Sequence, residues 1–122
     1  MSGGELVVFI EHRGKRILLL DCKNGGPDVV MDMIQKAKPI ISAQPPESLL
    51  TLTDVRGIHF NKEATSAIKE FASQNKPYVK AAAVVGISGL KEVVFKAVAA
   101  FTGRQIATFD SIEDAKDWLS MQ

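Results

Sequence analysis

Apolar and polar positions change period several times along the chain, and the changes mark its elements. "ELVVFI" (5–10) and "KRILLLD" (15–21) are apolar runs joined by "EHRG", with Gly14 supplying the turn, so the pair predicts a hairpin. "NGGP" (24–27) breaks the pattern, and Pro27 suits a first helical turn with Asp28 near its positive end. Val30, Met33, Ile34 and Ala37 then recur at helical spacing, and Pro39 is expected to end or kink that helix. "SLLTLTDV" (48–55) alternates leucine with threonine and predicts a strand with unlike faces. Asn61 is placed to cap a helix whose buried stripe is Ala64, Ala67, Ile68 and Phe71. "VKAAAVVG" (79–86) is apolar on both faces, as a central parallel strand should be. Leu90, Val93, Val94, Ala97, Val98 and Phe101 predict a further helix, stopped at Gly103. "RQIATFD" predicts a last strand, and Ser111 with Asp114 has capping-box spacing before a final helix with Ile112, Ala115 and Leu119 on one face.

The expected order is therefore β-β-α-β-α-β-α-β-α. A hairpin followed by three β-α-β crossovers makes an α/β domain: a five-stranded mixed sheet with four helices. Residues 5–122 form a single domain in this reading, behind a flexible tail at 1–4. Right-handed crossovers between neighbouring strands would bring loops 21–28, 54–61, 86–89 and 110–112 to one edge, where open α/β sheets tend to carry function.

Composition narrows the field. A chain of 122 residues that is 46% hydrophobic and 24% charged is expected to bury a core rather than remain disordered. Net charge is +1 and aromatics are few, so no basic, aromatic-laced stripe points to nucleic acid. No run approaches the roughly 18 apolar residues of a membrane helix, and no basic region precedes an apolar stretch at the start. The single cysteine, Cys22, cannot form an internal disulfide. A cytoplasmic protein with an ordinary buried thiol is the expectation.

The stretch "VVGISGLK" (84–91) carries the strongest suggestion of chemistry. A catalytic elbow needs Gly-x-Ser-x-Gly, and here the second glycine, Gly89, comes one position early. His59 could approach Ser88 with Asp54 as orienter, giving a conceivable hydrolase, but no histidine follows the last strand. A phosphate loop would need more residues and a final Ser or Thr. Ser88 as a helix N-cap satisfies the pattern without chemistry. A weak anion site remains open, because Gly86 and Gly89 expose backbone N–H groups at a helix start, Lys91 falls in its first turn, and Arg56 and Lys62 come from the neighbouring loop. Asp21, Asp54 and Asp110 each close a strand. They could converge on a cation, but aspartates at such positions more often cap turns. Two histidines and one cysteine match no metal-ligand spacing, and no cofactor is implied.

"LLTLTDVRGIHFNKEATSAIKEF", "KPYVKAAAVVGISGLKEVVFKAVAAFTGR" and "FDSIEDAKDWL" together resemble the STAS superfamily, the fold of bacterial anti-sigma factor antagonists. The closer resemblance is to the SpoIIAA-like (STAS/SEC14-type) family. In true antagonists the resemblance implies a phosphorylated serine in an Asp-Ser-Ser-Gly-type turn that contacts a kinase-like partner. Here that turn reads Asn61, Lys62, Glu63, Ala64, with Lys62 at the serine position, and Thr65 and Ser66 fall inside the helix. The resemblance thus implies a non-enzymatic module that binds a protein partner or itself, without the phosphorylation switch. Its surface would draw on Arg56, His59, Asn61, Lys62, Gly86, Ser88, Gly89 and Lys91. The alternative is a small-ligand domain that takes a nucleotide, lipid or other anion at the Ser88 helix start.

Overall fold

The computed structural model describes residues 6–59, 61–87, 96 and 106–122. Five strands make one mixed sheet: β1 (Val7–His12), β2 (Lys15–Asp21), β3 (Leu49–Asp54), β4 (Val79–Val85) and β5 (Ala107–Phe109). Three helices complete the described elements: α1 (Pro27–Ser42), α2 (Lys62–Asn75) and α3 (Ile112–Ser120). The strands lie in chain order across the sheet. β1 is antiparallel to β2, and every later pair is parallel.

The expected count of four helices is corrected to three among the described residues. The fourth was read from the stripe Leu90 to Phe101, which lies outside them except for the helical Lys96. Periodicity assigns such a segment an apolar face but not a place against the sheet. The proposed tail at 1–4 also lies outside the described residues.

Two boundaries move for local reasons. β1 runs on to His12, so the hairpin turn is only Arg13–Gly14. Both residues have positive φ, 51° and 79°, which is the geometry of a two-residue turn whose twist matches its strands. α1 continues through Pro39 to Ser42. The continuation buries Ile41 completely, which offsets the backbone bond that proline cannot make.

The two caps form as the spacing predicts. The Asn61 side chain accepts a bond from the Ala64 N–H at 2.7 Å, and Ser111 Oγ accepts from the Asp114 N–H at 3.1 Å. Each satisfies a donor that a helix start leaves open.

The sheet is covered on both faces. Leu18, Leu20, Val84 and the buried stripes of α1 and α2 form one core. Ile17, Leu50, Leu52, Ala83 and Val85 meet Ala115 and Leu119 of α3 in the other. β3 contributes to both, which explains its nearly unbroken burial. A polar clasp joins α3 to the hairpin: His12 Nε2 lies 2.7 Å from Asp117 Oδ1, and Arg13 Nη2 lies 3.4 Å from the same oxygen.

The hydrogen bond from His12, helped by the Arg13 charge, holds the Asp117 carboxyl below its ordinary range. A depressed carboxyl stabilises the fold above that range and loses its contribution as pH falls through it. The thermal midpoint of wild type should therefore exceed that of Asp117→Asn by a constant margin at neutral pH. The margin should shrink below about pH 4, as followed by circular dichroism melts.

Candidate functional site

The C-terminal ends of the parallel strands form one edge, and backbone bonds lace its loops together. Cys22 N–H donates to Asp54 O at 2.9 Å, and Asn24 N–H to Arg56 O at 2.7 Å. His59 N–H reaches Gly25 O at 2.9 Å. On the other side, Val55 N–H donates to Val85 O at 2.9 Å and Gly86 N–H to Phe109 O at 3.2 Å.

At the centre sits Asp54, 3% exposed. Its Oδ1 accepts from the Arg56 backbone N–H at 3.1 Å and from Nε at 3.0 Å, and its Oδ2 accepts from Nη2 at 2.8 Å. A buried carboxylate needs such partners, and the two-pronged arginine fork is the best of them. The pairing raises the guanidinium pKa further, chiefly through the side-chain hydrogen bond. Gly86 makes room for this turn. Its φ is 94°, and a Cβ there would meet the Arg56 backbone at 2.7 Å. The glycine read from sequence as part of a catalytic or phosphate loop is needed for close approach of two backbones.

The other expected site residues divide clearly. His59 and Lys62 are exposed on the same segment, and Lys62 opens α2. The Asn61 side chain is committed to its cap. Ser88, Gly89 and Lys91 lie outside the described residues, as does any contact between Ser88 and His59. Asp54, weighed both as an orienter of His59 and as a turn cap, caps its own turn and has both oxygens engaged by Arg56. Asp21 accepts from the Lys23 N–H at 3.1 Å, so it too serves its own turn. Among the described residues no cluster of three or more His, Cys, Asp or Glu could hold a metal ion. Nor is any helix among them long and apolar enough to cross a membrane.

Cys22 is 1% exposed, and its thiol is pushed up to about 12 by burial first and then by Asp21 and Asp54. A nucleophilic cysteine has the opposite environment.

Sequence reasoning passed over a pocket of about 80 Å³ beneath this edge, between the sheet and helices α1 and α2. Thr51 and Thr53 face it from β3, and Asn75 from α2. The alternation of leucine and threonine in "LLTLTD" was the available signal, but it reads equally well as a solvent-facing strand side.

Comparison with known proteins agrees with this architecture. The SpoIIAA-like family model matches residues 18–120. The fold is similar to that of a solved structure described as an uncharacterized protein from the DUF3478 family with a SpoIIAA-like fold, from Shewanella loihica PV-4. The TM-score is 0.74 at 17% identity, over 98% of each chain. No curated protein matches the chain.

Two outcomes follow. Gly86→Ala should lower stability by about 2 kcal/mol or more in urea titration, because a side chain at positive φ is strained and this one also meets backbone. Cys22 contributes stability that is complete below its unfolded value of 9.0 and lost as pH rises toward about 12. Cys22→Ala should therefore flatten the alkaline limb of the pH–stability curve, and the wild-type thiol should react with a thiol reagent only on unfolding.

Proposed function

The chain belongs to the SpoIIAA-like family, and from that premise we propose that it is a non-enzymatic STAS-like module. It docks a protein partner, or a second copy of itself, on the C-terminal edge of its sheet. The observation that carries this reading is the laced edge, where exposed Arg56 and His59 stand on a loop cross-bonded to its neighbours and exposed Lys62 opens the helix that follows. Loops already ordered lose little conformational entropy on binding, so more of the contact energy appears as affinity. Arginine and a mixed polar surface suit a protein interface better than a deep small-molecule cleft.

By the family resemblance, Lys62 occupies the place of the phosphorylated serine in anti-sigma factor antagonists. Docking in this reading is constitutive, because a lysine offers no hydroxyl to phosphorylate. The alternative, an anion held at the Ser88 helix start, would draw on Arg56. That side chain already pairs with Asp54, so an anion there would compete with a buried carboxylate for it.

The test pairs His59→Ala with Lys62→Glu in one variant, leaving Asp54 and Arg56 intact. Wild type should self-associate in sedimentation analysis or capture a defined protein from its native host. The double variant should lose that association about tenfold or more while keeping its circular dichroism spectrum and melting point. A strictly monomeric wild type whose captures match those of the variant overturns the proposal.

A further inference from the structure

We propose that β1 pairs with β1 of a second copy across a two-fold axis, joining two sheets into one. Backbone direction and one charge pattern point to the chain itself as the occupant of this strand's open side. The pairing leaves the C-terminal edge free, so it stands apart from the docking reading.

The sheet runs from β1 to β5, and no described strand lies beyond β1. The register with β2 settles which backbone groups face outward. Asp21 N–H donates to Leu6 O at 2.8 Å, and the same register continues through Val8↔Leu19, Ile10↔Ile17 and His12↔Lys15. Antiparallel bonding alternates along a strand, so Leu6, Val8, Ile10 and His12 turn their N–H and C=O groups toward β2. Those of Val7, Phe9 and Glu11 point the other way. Proteins usually guard such a row with proline, lysine, a bulge or a very short strand. β5, on the opposite border, is three residues long. β1 is six residues long, holds no proline or lysine, and pairs with β2 without a shift of register. It also leaves Val8 37% exposed, one of three large apolar side chains so exposed among the described residues.

Charge selects a second copy as the partner and fixes the register. Glu11 lies directly across from Arg16 of β2, yet it forms no ion pair among the described residues. Arg16 instead leans along the strand, its Cζ 3.7 Å from the centre of the Phe9 ring. In an antiparallel pair about an axis through Ile10, Phe9 faces the partner's Glu11, and the two residues exchange both backbone bonds. The partner's carboxylate then arrives beside the guanidinium that already covers Phe9, and symmetry repeats the pair. An axis through Phe9 sets each Glu11 against a Val7 instead, whose other neighbour is Leu20, and the charge goes unanswered. On the opposite face Ile10 meets Ile10, and Val8 meets the partner's His12. In each copy His12 is held to Asp117 of α3, and Lys15 Nζ reaches Gln122 O at 3.4 Å, so exposed Met121 lies at the hairpin end. Antiparallel pairing therefore brings Val8 of each copy toward Met121 of the other. One strand pairing is a small interface, so the association is weak and depends on concentration.

Sedimentation and amide hydrogen exchange of the full chain, taken up to millimolar concentration, test the pairing. The Phe9 and Glu11 amides should become protected about tenfold or more in step with dimer formation, a readout that needs no variant. Glu11→Arg and Arg16→Glu each place like charges across the axis, so each alone should dimerise about tenfold or more weakly than wild type. An equimolar mixture of the two restores opposite charges at both pairs and should associate as wild type does. The His59→Ala, Lys62→Glu variant should also dimerise as wild type does, which separates failure of this proposal from failure of the docking reading. Wild type that stays monomeric at millimolar concentration overturns the proposal, as do Phe9 and Glu11 amides that exchange equally fast at every concentration. A mixture that associates no better than its components overturns it, and so does a dimer lost in the docking-edge variant but kept in Glu11→Arg.

Discussion

The middle strand β3 is the constraint on which the rest of the molecule depends. It pairs with β2 on one side and β4 on the other, so neither of its long edges meets solvent. Leu50 and Leu52 root the core under α3, while Leu49 and the segment's next residue, Val55, belong to the core under α1 and α2. A parallel sheet needs cover on both faces, and β3 is where the two covers share one backbone. Its last residue, Asp54, carries the buried carboxylate that shapes the edge, and its threonines line the pocket.

Edge and pocket show two ways in which this fold treats buried polarity. At Asp54 the charge is answered within its own turn by Arg56, and Gly86 lets the neighbouring loop close over that turn. The result is an edge whose loops are held by their own hydrogen bonds. Thr51 and Asn75 are instead buried polar side chains that line a pocket between the sheet and helices α1 and α2.

Much of the fold was legible in the sequence, because it follows from local rules. The caps at Asn61 and Ser111, the Pro27 helix start and the strand order all came from spacing and turn chemistry. The errors fell where a distant contact overrode a local preference. Pro39 reads as a stop, yet α1 passes it to bury Ile41. His12 reads as a turn residue, yet it ends β1 and meets Asp117 at a separation of 105 residues. The fourth helix was counted from periodicity alone, and three are described. The candidate site was less legible still. Asp54 was expected to cap its own turn and does so at the Arg56 N–H, but the arginine fork that holds both its oxygens was not foreseen.

The sequence by itself determined the order of the elements, their inward faces and the residues that begin the helices. Those properties depend on periodicity and on hydrogen bonds spanning three or four residues. Only the tertiary structure decided that α3 covers the face opposite α1 and α2, and that Gly86 serves the Arg56 backbone. It also decided that Thr51 and Asn75 look into one pocket. Each of these is a meeting of residues far apart in the chain, and a one-dimensional pattern holds no information on which distant surfaces meet.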